Sequence, residues 1–440
     1  MGHKPIHFAA TGATGPAEPA FDHNNPPDAA LVDDCVHCGF CLPTCPTYRL
    51  WGEEMDSPRG RIHLIKTGLE GAPLTDAMVG HIDACLGCMA CLTACPSGVH
   101  YDELLEATRG QIERRYPRSR ADRALREAIF ALFPYPRRLL LTRGPLHLAQ
   151  RMGLDRAAST VLNRLAPQLA ALTRLAPRLG DAGALPTRVA ALGTPRAEVI
   201  MLTGCVQSVF FPGVNAATAR VLAAEGCEVR IPAGQGCCGA LSGHAGRREE
   251  ARRFARDLID TFAGDVPTIV NAAGCGSAMK EYGRLLADDP AYAARAQAFS
   301  ARVRDLAEFL TEIGPVAPRR RLPLVAAYHD ACHLGHAQRV RSQPRELLRG
   351  IPELELRELA DAEICCGSAG IYNVLNPEPA AELGAAKAAA VLASGAELLV
   401  TANPGCLLQI AAAVEQAGGQ VQLAHTAQVL DAAINGTPLR

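Results

Sequence analysis

The chain has 440 residues, of which 48% are hydrophobic and 20% charged, and its formal net charge is −1. This composition is typical of a globular protein with about two to four domains, and the balanced charge excludes a general attraction of the whole chain to nucleic acid. The N-terminus has no basic region followed by an apolar run, and no stretch reaches the roughly 18 apolar residues of a membrane span. We therefore expect a cytoplasmic protein, with a peripheral position on the inner face of the cell membrane as an open alternative.

The seventeen cysteines fall into two groups. Eight lie between Cys35 and Cys95, and the other nine lie between Cys205 and Cys406. An odd number of cysteines in a cytoplasmic chain favours metal or redox chemistry over a disulfide scaffold. The sequence therefore predicts a metal-rich N-terminal part, a cysteine-free middle and a C-terminal part with thiol chemistry of its own.

Two N-terminal segments share one cysteine pattern, CVHCGFCLPTCP from Cys35 and CLGCMACLTACP from Cys85. Both read C-x2-C-x2-C-x3-C-P, the run of bacterial ferredoxins with two [4Fe–4S] clusters, in which the fourth cysteine ligates the other cluster. Two complete copies disfavour a zinc ribbon. We predict two clusters whose ligands are Cys35, Cys38, Cys41 and Cys95 for the first, and Cys85, Cys88, Cys91 and Cys45 for the second. Small residues such as Gly39, Gly87 and Ala90 let backbone amides approach the sulfurs.

A helix is predicted between the two runs, at SPRGRIHLI from Ser57 to Ile65. It carries Arg59 and Arg61, for which two interpretations stay open. The arginines either lie on a solvated helix face or balance the charge of a nearby anionic cluster.

The cysteine-free middle is strongly basic, with 14 arginines and no lysine against four acidic residues between Gln111 and Arg178. Its richness in Ala, Leu and Arg predicts helices, with breaks at Pro134, Pro136, Pro145, Pro167 and Pro177. Within it, the segment from Glu127 to Leu148 combines large apolar residues with arginines. This pattern fits either a helix on an anionic membrane surface or an ordinary pair of packed helices.

The C-terminal part contains an internal repeat. Each copy has a strand-like run that ends in a cysteine, then a Cys-Cys-Gly sequence, then a second strand-like run that ends in a cysteine. The thiols are Cys205, Cys237, Cys238 and Cys275 in the first copy, and Cys332, Cys365, Cys366 and Cys406 in the second. Apolar runs that alternate with helices predict α/β units around a mostly parallel sheet, with the cysteines at one edge. Cys227 lies outside the pattern and is predicted as a core residue.

The sequence GQGCCG from Gly234 also matches the G-x-G-x-x-G turn of nucleotide-binding proteins, but the second copy lacks the first two glycines, which disfavours this interpretation. Cluster or metal ligation is favoured for the cysteine pairs, and a vicinal disulfide or buried structural thiols stay open. His329, His333 and His336, near Cys332, are predicted as structural, and metal ligation or proton transfer by them stays open. There is no hydrolase triad, P-loop, or credible flavin or nicotinamide motif, and we predict no catalytic residue.

Two ferredoxin-type runs followed by two Cys-Cys-Gly repeats resemble the iron–sulfur subunit of glycolate oxidase (GlcF), and segments such as GRIHLIK, HDACHLGHAQ and NPGCLLQ favour this group. The resemblance extends from about Cys35 to the end. It implies an electron-transfer subunit of an oxidoreductase complex that oxidises glycolate on flavoprotein subunits, GlcD- and GlcE-like, and passes electrons through two [4Fe–4S] clusters to an acceptor such as a quinone. Subunits of lactate or glycerol-3-phosphate dehydrogenases and of heterodisulfide reductase are related alternatives.

In the wider group that this chain resembles, a Cys-Cys-Gly domain holds a non-cubane [4Fe–4S] cluster through an isolated cysteine, the adjacent pair and a closing C-x-x-C. The last cysteine is missing here, because Gly276 to Ala278 follow Cys275, and Leu407 to Gln409 follow Cys406. Each repeat keeps four thiols, so one or two further clusters stay open. The missing cysteine argues against thiol–disulfide catalysis of the heterodisulfide reductase type.

Together these patterns predict a mixed α+β and α/β protein, with a helical two-cluster ferredoxin-like domain, a helical linker and two α/β cysteine-rich repeats. The predicted boundaries are 1–28 for a flexible arm, 29–125 for the two-cluster domain, 126–195 for the basic linker, and 196–318 and 319–440 for the repeats.

Overall fold

The computed structural model describes residues 18–153, 167–177 and 185–439. Two compact units make up the chain. The N-terminal unit is Met1–Ala124 with Leu241–Arg248, and the C-terminal unit is Leu125–Ala240 with Glu249–Arg440. The segment Leu241–Arg248 lies inside the predicted first repeat but belongs to the N-terminal unit, which the sequence did not indicate.

The N-terminal unit is helical. Its main elements are α1 (Ala29–Asp33), α2 (Pro46–Trp51), a 3-10 turn (Glu54–Asp56), α3 (Pro58–Leu69), α4 (Asp76–Asp83), α5 (Ala90–Ala94) and α6 (Tyr101–Arg115). Helix α3 confirms the helix predicted between the cysteine runs. It begins after Ser57, whose side chain accepts a hydrogen bond from the Gly60 amide, and Pro58 occupies the first turn, where a missing amide costs nothing.

The basic middle segment forms α7 (Arg120–Leu132), α8 (Pro136–Arg151) and α9 (Pro167–Arg174). Pro136 and Pro167 begin helices, as predicted, but the break predicted at Pro145 is wrong because α8 continues through it. A proline fixes a helical φ and removes one backbone hydrogen bond, which bends a helix without always ending it. None of the helices in the described ranges combines the length and apolarity that a membrane crossing requires.

Two sheets form the frame of the C-terminal unit. The first contains β1 (Arg188–Val189), β2 (Ala197–Met201), β3 (Cys227–Arg230), β4 (Thr268–Val270) and β5 (Val303–Asp305), in the order β1-β3-β2-β4-β5. The second contains β6 (Leu324–Tyr328), β7 (Leu354–Glu358), β8 (Leu398–Thr401) and β9 (Gln422–His425), in the order β7-β6-β8-β9. All neighbouring strands are parallel except β1 and β3. The predicted α/β repeats are therefore confirmed.

Helices flank both sheets. They are α10 (Cys205–Phe210), α11 (Pro212–Ala224), α13 (Arg248–Thr261), α14 (Ala273–Lys280), α15 (Tyr282–Leu285), α16 (Ala293–Ala301), α17 (Leu306–Ile313), α18 (Ser342–Arg349), α19 (Tyr372–Leu375), α20 (Pro377–Ala393), α21 (Pro404–Gln416) and α22 (Thr426–Asn435). Between α11 and α13 along the chain comes α12 (Ala240–His244), most of which belongs to the N-terminal unit. A π-helical turn at His333–Ala337 follows Cys332. The central strands β4 and β8 are buried along their whole length, as expected of parallel strands covered on both faces.

The two sheets share one hydrophobic core, which contains Val199 and Met201 of β2 together with Ala326 and Tyr328 of β6. Cys227 belongs to this core and is fully buried, which confirms its predicted role. A single cysteine follows each of β2, β4, β6 and β8, and a Cys-Cys pair follows each of β3 and β7. The repeated topology therefore places two similar sets of thiols at the carboxyl ends of the two sheets.

Candidate metal centres

All seventeen cysteines lie within the described ranges, and all are free thiols. The vicinal disulfide that the sequence left open is therefore not formed in either Cys-Cys pair. The thiols of the N-terminal unit gather around two cavities, and the thiols of the C-terminal unit form one group at each sheet.

The first cavity has a volume of about 430 Å³ and is lined by Cys35, Cys38, Cys41 and Cys95. Three of these cysteines come from the first run, and Cys95 comes from the end of the second run. The backbone loop around the cavity turns at Gly39, which has a positive φ. The structure thus brings together the four residues that the sequence grouped as ligands of the first cluster.

The second cavity has a volume of about 320 Å³ and is lined by Cys45, Cys85, Cys88 and Cys91. Here the fourth cysteine of the first run joins three cysteines of the second run. The Gly87 amide donates a hydrogen bond of 3.4 Å to Cys85 Sγ, as expected for a small residue in this loop. Cys91 also lines the first cavity, so the two cavities are neighbours.

Four thiols around each cavity are the donor set that a [4Fe–4S] cluster requires. The second cavity also suits an anionic group, because the Gly87 amide donates to Cys85 Sγ and the positive charges of Arg61 and Arg109 lower the pKa of Cys85 against the effect of burial. The residues present therefore fit two such clusters, the first at the cavity with Cys95 and the second at the cavity with Cys45.

Arg61 is buried beside the second cavity, with a relative exposure of 1%. Its guanidinium donates to the backbone oxygens of His81 and Asp56, each at 2.6 Å, and to Thr47 Oγ1 at 3.1 Å. It also forms an ion pair of 3.2 Å with Asp56. Arg61 therefore does not lie on a solvated helix face. Its burial supports the alternative interpretation, in which Arg61 places a positive charge next to the cysteines of the second cavity.

The charge of Arg61 acts on the thiols around it. Burial disfavours a charged guanidinium, but the pKa of Arg61 is nevertheless raised because Cys85, Tyr101 and Cys45 surround it. In turn, although burial opposes the thiolate, the guanidinium groups of Arg61 and Arg109 lower the pKa of Cys85. The second cavity therefore holds a buried cation that stabilises negative charge on its sulfur ligands.

Arg59 lies beside the first cavity and is more exposed than Arg61, with 27% of its side chain accessible. It forms a 2.6 Å ion pair with Glu54 and donates to the His37 backbone oxygen. Burial raises the pKa of the Cys41 thiol to about 11, and a hydrogen bond that involves Arg59 opposes this shift. The first cavity therefore has a more solvated source of positive charge than the second.

Sequence reasoning missed two side chains at the second cavity. Tyr101 donates from its hydroxyl to Cys85 Sγ at 3.5 Å, and Arg109 donates to the Cys85 backbone oxygen at 2.5 Å. Both lie on α6, after the second cysteine run. In the sequence, both residues lie on the helix that follows the last cysteine of the second run. That position does not specify which face of the helix they occupy.

The four thiols of the first repeat form a chain of contacts. Cys205 Sγ lies 3.5 Å from Cys237 Sγ, Cys237 is hydrogen-bonded to Cys238, and Cys238 is hydrogen-bonded to Cys275. Hydrogen bonds among the thiols and burial raise the pKa values of Cys237 and Cys275. The structure therefore brings together the four residues that the sequence grouped.

The four thiols of the second repeat form the same chain, from Cys332 through Cys365 and Cys366 to Cys406. Hydrogen bonds from Cys365 lower the pKa values of Cys332 and Cys366 against the opposing effect of burial. The structure therefore also brings together the four residues that the sequence grouped in the second repeat.

The histidines near Cys332 have different surroundings. His336 is buried between the Arg341 guanidinium and the Glu363 backbone oxygen, which supports its predicted structural role. His333 Nδ1 lies 3.6 Å from Cys332 Sγ. His329, in contrast, lies with Cys366 and Cys406, so that its ring nitrogen and the two sulfurs are within 4.8 Å of one another. The sequence placed His329 near Cys332 but did not indicate this grouping.

Models of known families match three parts of the chain. The model of a 4Fe-4S dicluster domain matches residues 31–99, and the model of a cysteine-rich domain matches residues 199–280 and 326–411. Between them, the model of the glycolate oxidase iron-sulfur subunit linker region matches residues 121–176.

Several curated proteins are similar to this chain. A probable glycolate oxidase iron-sulfur subunit of Bacillus subtilis is 38% identical over 92% of this chain and 94% of its own length. The glycolate oxidase iron-sulfur subunit of Escherichia coli is 36% identical over 92% of this chain and 95% of its own length. Lactate utilization protein A of Shouchella clausii is 33% identical over 53% of this chain and 98% of its own length. With the two cysteine-lined cavities and the repeated α/β domains, these similarities show that the chain belongs to the family of glycolate oxidase iron-sulfur subunits.

Proposed function

We propose that this chain is the iron–sulfur electron-transfer subunit of a flavin-dependent complex that oxidises glycolate. In this complex the flavoprotein partners are GlcD- and GlcE-like, and the electrons go to an acceptor such as a quinone. The observation that carries the proposal is the pair of neighbouring cavities, each of which is lined by three thiols of one cysteine run together with the fourth thiol of the other run. When bound, [4Fe–4S] clusters transfer electrons one at a time. A flavin that has accepted two electrons at once needs such a partner in order to release them singly.

The residues of the chain have two roles in this function. The eight N-terminal cysteines hold the clusters, and Arg61, Arg109 and Tyr101 place positive charge and a hydrogen bond next to the ligands of the second one. Such groups stabilise the more negative, reduced state of a centre and so raise its reduction potential. The eight thiols of the repeats are proposed as additional metal ligands.

The test is to purify the assembled complex with its flavoprotein subunits, add glycolate without oxygen and record EPR spectra of the frozen mixture. We expect signals of reduced iron–sulfur clusters with glycolate and none with buffer. Lactate and glycerol 3-phosphate, added in parallel, distinguish the related substrates. If glycolate reduces the flavin but leaves the clusters oxidised, the proposed electron transfer is wrong. If only lactate or glycerol 3-phosphate reduces the clusters, the proposed substrate is wrong.

We also propose that α8 contacts an anionic membrane surface, where a quinone would be reached. Leu140, Leu141, Leu148 and Met152, on or next to this helix, are between 50% and 77% exposed. Arg137 and Arg151 on the same helix are exposed as well. Apolar side chains with flanking arginines are the combination that binds the interface of anionic bilayers.

Co-sedimentation with vesicles tests this contact. We expect the chain to sediment with anionic phosphatidylglycerol vesicles at low salt and not with neutral phosphatidylcholine vesicles. The double variant Leu140→Ser and Leu141→Ser should reduce binding by about 100-fold or more, because each buried leucine contributes about 1.5–3 kcal/mol and about 1.4 kcal/mol is a factor of ten. Leu192→Ser is the matched control, since Leu192 is 62% exposed but lies on another segment. Equal binding by both variants, or no binding of the unaltered chain, would exclude a membrane role for α8.

A further inference from the structure

The two cysteine runs place equivalent residues in opposite surroundings. In the second run, Leu86 and Ala90, one and five residues after the first cysteine, are 6% and 2% exposed. The equivalent residues of the first run, Val36 and Phe40, are 68% and 65% exposed. In the described part of the N-terminal unit, no other large hydrophobic side chain is exposed. The loop of residues 36–40 is therefore an isolated apolar surface.

The chain itself covers the loop of the second run. A Cβ added to Gly87 would meet Arg109 Nη1 at 3.5 Å and Leu105 Cδ2 at 3.7 Å, and both of these residues lie on α6. Arg109 also donates to the backbone oxygen of His244 on α12, at 2.8 Å. The second cavity is therefore enclosed by elements of the N-terminal unit, whereas no described element covers the 36–40 loop in the same way.

The 36–40 loop also exposes a predicted cluster ligand. Cys38 is exposed, whereas its counterpart Cys88 is buried. Val36, Cys38 and Phe40 all line the first cavity. Because electron transfer weakens steeply with distance, a redox partner has to approach a cluster closely, and the first cavity is the one whose loop is open to solvent. An exposed aromatic side chain at such a place is typical of an anchor in a protein interface.

The chemistry of the loop selects among its possible occupants. The segment DDCVHCGFC, residues 33–41, contains two exposed aspartates and no lysine or arginine. Anionic membranes attract basic segments, so this segment is unsuited to them. A quinone needs a concave site, whereas Val36 and Phe40 are more than half exposed. A second copy of the chain would bring no flavin to the first cluster. The remaining occupant is a protein that carries the electron donor.

We propose that the 36–40 loop is the surface on which the flavoprotein partner docks, and that electrons enter the chain at the first cluster. This inference rests on the proposed function. Each transfer removes one electron from the reduced flavin and adds it to the first cluster, from which the second cluster takes it up. The partner offers an apolar pocket for Phe40, with basic side chains at the rim opposite Asp33 and Asp34.

Binding of the flavoprotein subunits to the purified chain, measured by calorimetry without glycolate, tests this docking surface. Phe40→Ser should weaken binding about 30-fold or more, because an anchor residue carries much of the affinity of an interface. Phe40→Trp keeps an aromatic anchor and should bind like the unaltered chain. Val316→Ser is the matched control, since Val316 is 59% exposed but lies in the C-terminal unit, and it should also bind normally.

Iron analysis and reduction by dithionite separate docking from damage to the clusters. Phe40→Ser should keep about eight irons and be reduced by dithionite, yet be reduced more slowly by glycolate with limiting flavoprotein. If Phe40→Ser binds the flavoprotein as tightly as the unaltered chain does, while glycolate still reduces the clusters, the docking surface alone is wrong. If glycolate never reduces the clusters of the unaltered chain, the proposed function is wrong and the docking surface with it.

A photo-crosslinking amino acid at position 40 identifies the occupant directly. Benzoylphenylalanine keeps an aromatic ring at this position, and we expect irradiation of the purified complex to link it to a flavoprotein subunit, as mass spectrometry of the linked peptides will show. Links only to a second copy of the chain, or only to the residues of the same chain before Glu18, would overturn the proposal.

Discussion

Replacing Cys95 by alanine is expected to lower the iron content from about eight to about four per chain, and the cluster lost should be the one at the first cysteine run. The reason is geometric, because Cys95 belongs to the second run in sequence but lines the cavity of Cys35, Cys38 and Cys41. Cys45→Ala should likewise lower the iron content to about four per chain, but here the cluster lost should be the one at the second run.

Double variants show whether the ligands cross in this way. Cys35→Ala with Cys95→Ala should lose no more iron than either single variant, because both remove ligands of the same cluster. Cys85→Ala with Cys95→Ala should lose nearly all the iron. Cys227→Ala is the control, since Cys227 is a buried core residue of β3, and it should keep about eight irons. If the two double variants exchange these results, each run holds its own cluster and the proposed grouping of ligands is wrong.

Arg61→Met is expected to lower the free energy of unfolding of the N-terminal unit by about 3–5 kcal/mol. The substitution keeps the volume of the side chain but removes the guanidinium from the Asp56 carboxylate, which is 5% exposed and keeps its 3.0 Å contact with His81. It also removes the hydrogen bonds to Thr47 and to the backbone oxygens of His81 and Asp56. Trp51, the single tryptophan of the chain, lies in this unit, so urea unfolding followed by its fluorescence measures the change.

Arg59→Met is the matched control for Arg61→Met. Arg59 lies on the same helix, but its ion pair with Glu54 is partly exposed, with 27% and 41% of the two side chains accessible. Exposed ion pairs contribute about 0–1 kcal/mol, so a small effect is expected. Comparable losses of stability in the two variants would contradict the conclusion that burial of Arg61 distinguishes it.

The sequence was most informative where spacing along the chain determines geometry. The two C-x2-C-x2-C-x3-C-P runs predicted which thiols share a cavity, including the exchange of Cys45 and Cys95, because three of the four ligands lie on one short loop. The repeated order of apolar runs and cysteines predicted two parallel sheets with thiols at their carboxyl ends, because parallel strands end at a common edge.

The sequence was less informative where distant segments decide the surroundings of a side chain. Two interpretations of Arg61 stayed open because its burial depends on contacts with Thr47, Asp56 and His81, which belong to other elements. His329 was placed near Cys332 by its position in the chain, yet its ring lies with Cys366 and Cys406, which follow other elements of the fold. Similarly, nothing in the composition of Leu241–Arg248 indicated that it belongs to the N-terminal unit.

The central claim is that the N-terminal unit carries two [4Fe–4S] clusters, and the most direct measurement combines iron and sulfide analysis with EPR of the dithionite-reduced chain, purified without oxygen. We predict about eight irons and eight sulfides from this unit and about two unpaired spins per chain. Zinc in place of iron, or about four irons and a single spin, would contradict the claim.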